Sequence, residues 1–268
     1  MKGLGFIGAG NMAEAMIRGI LAAKLLPPDR LFVLDVRPDR TEELRKGFGV
    51  SVAPDLAGLV QGCETIVFAV KPQTVPEVLR KMPVEGGGGK LFLSIAAGIK
   101  TRVFLEALGK ESGVVRAMPN TPAQAGMGAT GLYFAAGVRE EQKAWTRKIF
   151  SSLGTVAEFS REDLLDVVTA LSGSGPAYVF LFIEALADGA VRCGMGREEA
   201  ILLAASTVEG AARMVRESGK HSAQLKDLVT SPGGTTAAGI AALERGAFRG
   251  TVMDAVFAAW QRCRELSS

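Results

Sequence analysis

The feature that most constrains the fold is an alternation of short apolar runs with helical stretches over residues 1–159. The runs LGFIG, LFVLD, TIVFAV, LFLSIA and GVVRAM are rich in β-formers, and stretches such as NMAEAMIRGILAAKLL and RTEELRKGF separate them. Strands without polar alternation are typical of a parallel sheet that helices cover on both faces. We expect GLYFAAG and TVAEF at the far edge of this sheet. The sequence therefore predicts an α/β fold.

The pattern changes at about residue 160. Residues Ser160–Asp163 are typical of a capping box that opens a helix, and the segments after them all have helical spacing. We therefore predict a Rossmann-type dinucleotide-binding domain over residues 1–160 and an all-helical domain over residues 161–268.

The predicted helices after residue 160 are apolar on nearly every face and rich in alanine and glycine. A helical domain of about a hundred residues cannot easily hide so much apolar surface from water by itself. A tightly packed bundle is one interpretation. An intertwined homodimer is the interpretation that we favour.

Composition disfavours several classes of function. The net charge is +3 and the basic residues are scattered, so neither nucleic acid nor an anionic membrane is an expected partner. The three cysteines, Cys63, Cys193 and Cys263, are far apart and form no CxxC motif. This indicates reduced thiols in a cytoplasmic protein, with no disulfide framework and no metal site. The single histidine, His221, is expected at a helix start and not as a catalytic base.

Two apolar stretches could be mistaken for membrane or export signals. The N-terminal run ends in glycine and asparagine after a few residues, so we interpret it as the first strand. The stretch VVTALSGSGPAYVFLFIEAL is interrupted by Ser172–Pro176, whereas a membrane span needs about 20 uninterrupted apolar residues. It is expected to form a buried helix pair.

A glycine-rich turn follows the first strand. Residues Gly8–Ala13 form a G-x-G-x-x-A fingerprint between a predicted strand and a predicted helix, the context in which this motif binds dinucleotides. Gly8 would permit the tight turn, Gly10 would let the backbone approach a pyrophosphate, and Ala13 would keep helix and strand close. The helix N-terminus would attract the anion. A glycine turn without a ligand is the alternative.

The choice of dinucleotide rests on conflicting signals after the second strand. Asp35 occupies the usual acidic position for the ribose hydroxyls of NAD. Arg37 and Arg40 follow, and either could bind the 2′-phosphate of NADP, or both could be solvated loop charges. We favour NADP, with NAD tolerated.

Further candidate residues lie where later strands end, at the edge of an α/β sheet that binds ligands. Small residues there would let a flat ring lie against the backbone, and the amide of Asn120 could hold a ligand carbonyl. Together these strand ends predict one cleft, whose candidate residues are Ala69, Val70, Lys71, Pro72, Ile95, Ala97 and Asn120.

A second turn of interest precedes an alanine-rich helix in the predicted helical domain. A proline and two glycines leave the amides of the following residues open, and three hydroxyls lie beside them. This arrangement is the size of a carboxylate nest. An ordinary Ser/Thr N-cap is the alternative. The residues are Ser231, Pro232, Gly233, Gly234, Thr235 and Thr236.

These motifs together resemble the pyrroline-5-carboxylate reductase family, whose members catalyse the last step of proline synthesis. The segments GFIGAGNMA, AVKPQ, SIAAGI, RAMPNTPA, ALSGSGPAY and QLKDLVTSPGGTTAAGIAALE agree in order and spacing over essentially the full chain, and the last is the most specific. The resemblance implies an enzyme that transfers hydride from NAD(P)H to the C=N carbon of 1-pyrroline-5-carboxylate, giving L-proline. It also implies a helical dimerisation domain and, in several members, rings of dimers.

The resemblance assigns site residues by position. Pyrophosphate contacts fall on Ile7, Gly8, Ala9, Gly10, Asn11 and Met12. Nicotinamide contacts fall on Ala69, Lys71, Pro72, Ile95 and Ala97, with Asn120 nearby. Substrate contacts fall on Glu162, Ser231, Gly233, Gly234, Thr235 and Thr236.

The sequence departs from the family pattern at two positions. Some relatives carry small hydroxyl residues where this chain has LDVRPDR, so cofactor preference does not follow from the resemblance. Some have asparagine where this chain has Leu228, which removes one cofactor contact.

Thr236 is the candidate catalytic residue, because its hydroxyl could orient the ring nitrogen and relay a proton from water. Two rival functions remain. β-Hydroxyacid dehydrogenases share the domain order, but they generally use a lysine after a glycine-rich turn, and GSGPAYVFLFIEAL contains none. A regulator that binds NAD(P) without turnover would not need the turn at Ser231–Thr236.

Overall fold

The alternating part of the sequence forms one sheet. The computed structural model describes residues 3–83 and 88–266. The strands are β1 (Gly3–Ile7), β2 (Leu31–Leu34), β3 (Ser51–Val52), β4 (Cys63–Phe68), β5 (Leu91–Ser94), β6 (Gly113–Met118), β7 (Gly128–Phe134) and β8 (Gly154–Glu158). They lie in the order β3-β2-β1-β4-β5-β6-β7-β8. All neighbours pair in parallel except β6 and β7, which are antiparallel. The predicted parallel sheet is confirmed, and GLYFAAG and TVAEF lie at its edge as β7 and β8.

Helices follow most strands of the sheet and continue to the C-terminus. They are α1 (Asn11–Ala22), α2 (Pro38–Phe48), α3 (Leu56–Gly62), α4 (Val75–Arg80), α5 (Thr101–Leu108), α6 (Glu140–Ser151), α7 (Leu164–Val168), α8 (Gly175–Arg192), α9 (Arg197–Ser218), α10 (Ser222–Leu228), α11 (Thr235–Arg245) and α12 (Phe248–Leu266). A π-helical turn, Thr169–Gly173, lies between α7 and α8. His221 occupies the N-cap of α10, as expected.

The sheet is buried because each of its faces packs against helices. One apolar cluster surrounds Phe6, Met16 and Phe150, and a second surrounds Phe68 and Phe104. Every residue of β1 is buried, which explains why that strand shows no polar alternation.

The chain divides into two compact units. The first comprises residues 1–174 and 259–268, and the second comprises residues 175–258. The division thus lies after Ser174, and the segment between residue 160 and Ser174 packs with the sheet. The predicted capping box is wrong in detail: α7 begins at Leu164, and its N-cap, Asp163, makes no side-chain capping bond.

The second unit has a small core of its own. Its buried cluster consists of Ala187, Ala200 and Ala204, with Ile183, Ala190 and Val191 packed against them. Many large apolar side chains of α8, α9 and α12 are exposed in a single chain. The helical stretch Leu164–Arg192 is long and apolar enough to cross a membrane by length and composition alone, a test that core helices of globular proteins also pass. Its most apolar window is only 17% buried, so the expected buried helix pair is wrong for a single chain.

Candidate dinucleotide and substrate sites

The glycine-rich turn connects β1 to α1 and needs its two glycines for different reasons. Gly8 has φ +100°, and a Cβ there would lie 2.6 Å from the carbonyl oxygen of Ala69, so the protein itself excludes a side chain. Gly10 is the N-cap of α1 at φ −73°, and a Cβ there would meet no protein atom within 4 Å. The space above Gly10 is therefore open to a ligand, and no side chain caps the first turn of α1.

Asp35 follows β2 and is held by two backbone amides. Its Oδ2 accepts from the amide of Ala9 at 2.7 Å, and its Oδ1 accepts from the amide of Arg37 at 2.9 Å. The carboxylate thus ties the loop after β2 to the glycine-rich turn. Each oxygen retains one lone-pair direction for a ribose hydroxyl.

The two arginines that follow β2 differ in their freedom to bind phosphate. Arg40 is largely buried: its Nε donates to the carbonyl of Ala9 at 2.7 Å, and its guanidinium pairs with Glu14 and Glu43. These bonds lower the pKa of Glu14, chiefly through the hydrogen bond from Arg40. The side chain of Arg37 is 60% exposed, and its Nε lies 3.9 Å from Asp35. Arg37 is therefore the arginine available to a 2′-phosphate.

A cleft of about 690 Å³ runs along the ends of β1, β2 and β4. Its lining includes predicted cofactor residues from all three strand ends, together with Val78 of α4 and Lys81, the residue after that helix. The predicted residues in the lining are Ile7, Gly8, Gly10, Asp35, Arg37, Ala69, Val70 and Lys71. A cleft of this size with an open helix N-terminus fits a dinucleotide.

The other predicted cofactor residues lie outside that lining. Ala9 is fully buried, whereas Asn11 and Met12 form the first turn of α1 and Pro72 begins a short 3₁₀ turn after Lys71. Ile95 and Ala97 are half-buried in the loop after β5. The amide of Ile95 donates to the carbonyl of Phe68 at 3.2 Å, which places this loop beside the end of β4.

Asn120 uses its side chain inside the protein. Its Nδ2 donates to the carbonyl of Ser172 at 3.0 Å, and its Oδ1 accepts from the amide of Ala129 at 2.8 Å. The side chain joins the end of β6 to β7 and to the π-helical turn. One N–H and one lone pair remain for a ligand, so its role beside the nicotinamide stays a prediction.

Glu162 likewise has internal partners. Its Oε1 accepts from the amide of Thr101 at 2.6 Å, and its Oε2 accepts from the hydroxyl of Thr101 at 3.1 Å. Both residues belong to the first unit. Each carboxylate oxygen thus has one donor within the protein, and a contact between Glu162 and substrate stays a prediction from the resemblance.

The turn Ser231–Thr236 precedes α11 in the second unit. Gly233 has φ +68°, the left-handed region that favours glycine, and a Cβ on Gly234 would lie 2.3 Å from the Oγ of Ser231. The N-cap of α11 is Gly234, so no side chain at that position caps the helix. The alternative of an ordinary Ser/Thr N-cap is therefore wrong. Thr235 and Thr236 form the first turn of α11, Thr235 exposed and Thr236 half-buried.

Sequence reasoning missed a buried arginine on β6. Arg116 is 2% exposed, and its guanidinium donates to Asp166 at 2.6 Å. The signal was present, because Arg116 interrupts the apolar run GVVRAM. A charge on a strand buried on both faces requires a buried partner.

Two family models match the chain. Residues 162–266 match the model described as pyrroline-5-carboxylate reductase dimerisation. Residues 3–98 match the model described as NADP oxidoreductase, coenzyme F420-dependent. The first match covers helices α7 to α12, and the second covers the glycine-rich turn and the cleft.

Similar proteins extend these matches over the full length. The pyrroline-5-carboxylate reductase of Arabidopsis thaliana is 45% identical over 98% of this chain and 95% of its own length. A solved pyrroline-5-carboxylate reductase from Coxiella burnetii has a TM-score of 0.91 at 38% identity, covering 100% of this chain and 99% of that one. The Plasmodium falciparum pyrroline carboxylate reductase, solved with NADP bound, has a TM-score of 0.89 at 36% identity, covering 100% and 98%. Identity at this level over the whole chain shows that the protein belongs to the pyrroline-5-carboxylate reductase family.

Proposed function

We propose that the protein reduces 1-pyrroline-5-carboxylate to L-proline with NADPH. The reaction adds a hydride to the imine carbon and a proton to the ring nitrogen. NADPH supplies the hydride when it is bound. The observation that carries the proposal is that one chain of this family has both an open glycine-rich turn at Gly8–Gly10 and an uncapped helix start at Thr235.

The turn before α11 suits an anionic ring substrate. The amides of the first helical turn have no side-chain cap, and the helix N-terminus carries partial positive charge. The substrate carboxylate would bind there, beside the hydroxyls of Ser231 and Thr235. Neutralising this carboxylate and fixing the ring would orient the imine carbon.

Thr236 is the residue proposed to act at the imine nitrogen. Its hydroxyl lies in the first turn of α11 and is half-buried. An alcohol is a poor terminal acid, so its role would be to orient the nitrogen and relay a proton from water. Thr236→Val keeps the shape and removes the hydroxyl. We expect kcat to fall by about 10-fold or more while the Kd for NADPH, measured by fluorescence titration, is unchanged.

Thr230→Val is the matched control for this experiment. The Thr230 hydroxyl donates to the carbonyl of Lys226 at 2.7 Å within the preceding turn, so it is engaged by the backbone. An unchanged kcat in Thr236→Val would remove Thr236 from the mechanism. An equal loss in both variants would indicate a disturbed turn and not a lost proton path.

The dimer is part of the proposal, because the family model that matches residues 162–266 describes dimerisation. The exposed apolar faces of α8 and α9 would be covered by a second copy. We assign the apolar helix α8, the exposed part of the stretch Leu164–Arg192, to this interface and not to a membrane. A ring of dimers and a cytoplasmic location remain predictions from the sequence.

The decisive experiment follows the oxidation of NADPH and of NADH at the nicotinamide absorbance, with and without 1-pyrroline-5-carboxylate, and identifies proline by mass spectrometry. Substrate-dependent oxidation that yields proline supports the proposal. Cofactor binding with no oxidation would favour the rival of a regulator without turnover. Oxidation of the cofactor with a β-keto acid, but not with the imine, would favour a β-hydroxyacid dehydrogenase.

A further inference from the structure

Arg116 forms a buried ion cluster in the first unit. Its Nη2 donates to Asp166 Oδ1 at 2.6 Å, and its Nη1 lies 3.9 Å from Glu162 Oε1, an ion pair without a hydrogen bond. The side chain of Arg116 is 2% exposed, and those of Asp166 and Glu162 are 7% and 19% exposed. A charge held this far from water interacts strongly with its partners, because little solvent screens it. Arg116 therefore restricts where both carboxylates can lie.

Glu162 connects the buried cluster to the start of α5 through hydrogen bonds. Thr101 is the first residue of α5, and both its amide and its hydroxyl donate to the Glu162 carboxylate. The N-cap residue, Lys100, supplies no side-chain cap to the helix. Glu162, distant in sequence, is thus the acceptor that satisfies the first turn of α5.

The start of α5 is also the end of the loop 95–100. The other end of that loop is fixed by the bond from the amide of Ile95 to the carbonyl of Phe68. Ile95 and Ala97 on this loop are the predicted contacts of the nicotinamide ring. The conformation of the loop therefore depends on Phe68 at one end and on Glu162 at the other.

We infer that Arg116 and Glu162 are positioning residues for the reduction: the buried charge of Arg116 restricts the Glu162 carboxylate, and Glu162 fixes the end of the loop 95–100, against which the nicotinamide would lie. The inference rests on the proposed function. It gives Glu162 a role inside the first unit in place of a substrate contact. Because a reacting pair displaced by about 1 Å loses about 100-fold in rate, a small shift of this loop would be measurable.

The test compares Glu162→Gln and Arg116→Lys with the parent enzyme. Glu162→Gln replaces two charge-assisted bonds to Thr101 by neutral ones, in which the amide N–H can face the Thr101 hydroxyl as an acceptor, and it removes the charge beside Arg116. Arg116→Lys keeps the charge but loses the planar fork that spans two carboxylates. Glu158→Gln is the matched control, because Glu158 pairs with Arg147 at the surface of the same unit.

Three readouts are measured on each variant. The first is the dependence of the NADPH oxidation rate on 1-pyrroline-5-carboxylate concentration, which gives the saturating rate and the KM for the imine. The others are the Kd for NADPH and hydrogen exchange of the peptide covering residues 95–102. We expect the rate to fall by about 10- to 100-fold in Glu162→Gln, with the Kd within about twofold of the parent and faster exchange at Thr101. The double variant of Arg116→Lys and Glu162→Gln should be no slower than the slower single variant, because both act through the Glu162 carboxylate. Glu158→Gln should match the parent in all three readouts.

Two outcomes would overturn the inference. One is a Glu162→Gln variant whose hydrogen exchange over residues 95–102 and whose rate of NADPH oxidation equal those of the Glu158→Gln control. The other is an unchanged rate with a raised KM for the imine, which would make Glu162 a substrate contact. If Arg116→Lys does not fold, Glu162→Gln alone decides. A parent enzyme that does not turn over the imine would contradict the proposed function, and the exchange data would still decide whether Glu162 holds the loop.

Discussion

At the scale of single residues, Gly8 and Gly10 separate the needs of the fold from those of the ligand. A side chain at Gly8 would strike the backbone of Ala69, whereas one at Gly10 would enter open space. Substitution at Gly10 should therefore spare the fold and block the approach of a pyrophosphate to the backbone. The pair distinguishes a dinucleotide turn from a glycine turn without a ligand.

Gly10→Ala tests this distinction. We expect the Kd for NADPH, measured by calorimetry, to rise at least about 10-fold, which corresponds to about 1.4 kcal/mol. The free energy of unfolding should fall by no more than about 1 kcal/mol, because alanine is a poorer N-cap than glycine. Gly47→Ala, in α2 with no protein atom within 4 Å of its added Cβ, is the control. Unchanged NADPH binding in Gly10→Ala would argue against pyrophosphate at this turn.

Arg37 is the residue expected to select NADPH. It lines the cleft and its side chain is mostly exposed, whereas Arg40 is bonded to Ala9, Glu14 and Glu43. Arg37→Ser should raise the Kd for NADPH by about 10-fold or more and leave the Kd for NADH within about twofold, because only NADPH carries the 2′-phosphate. Arg45→Ser, a surface arginine paired with Glu42, should change neither value. Equal weakening of both cofactors would assign the 2′-phosphate elsewhere.

At the scale of elements, Arg40 connects α1, α2 and the glycine-rich turn. It pairs with Glu14 of α1 and donates to the carbonyl of Ala9. Arg40→Met should lower the free energy of unfolding near pH 7 by about 1–3 kcal/mol, because the bonds to charged partners are lost. Urea unfolding followed by circular dichroism measures this difference.

The difference in unfolding free energy between the parent and Arg40→Met should also depend on pH, and its direction can be predicted. Arg40 lowers the pKa of Glu14 in the folded protein below its ordinary value of 4.5. The pair therefore contributes stability that is present above about pH 4.5 and is lost as the pH falls through the lowered pKa. The difference between the parent and Arg40→Met should shrink over that range. A difference that stays constant down to pH 3 would contradict a role for the ionised pair.

The elements themselves were predictable from sequence, whereas several contacts of the site were not. Apolar strands and helical periodicity are local signals, so the helical half and every described strand except β3 follow from them. Strand β3 is only two residues long, Ser51–Val52, and carries no such signal. Ser172, the acceptor of Asn120, lies 52 residues away along the chain, and Thr101, the partner of Glu162, lies 61 residues away, so no local pattern indicates these contacts. The expected capping box at Ser160–Asp163 failed for the same reason, since Glu162 caps α5 and not α7.

At the scale of the whole molecule, the buried core of the second unit is too small to explain the stability of that unit. Its buried cluster is built on three alanines, while large apolar side chains of α8 and α9 face outward. Burial of apolar surface is the main stabilising term in folding, at about 25 cal/mol per Å². In a single chain the apolar faces of α8 and α9 stay exposed to water and contribute little of this stabilisation. For the same reason the sequence favoured a homodimer over a closed bundle.

The double variant Leu181→Glu/Leu202→Glu tests whether a second copy covers these helices. Leu181 and Leu202 are 67% and 66% exposed in one chain. At a buried interface each glutamate would lose its hydration without a partner, so we expect monomers by sedimentation velocity at micromolar concentration. Met127→Glu, at a residue 62% exposed in the first unit, should leave the oligomer intact. A double variant that sediments like the parent would place the interface elsewhere, and a parent that is itself monomeric would contradict dimerisation through α8 and α9.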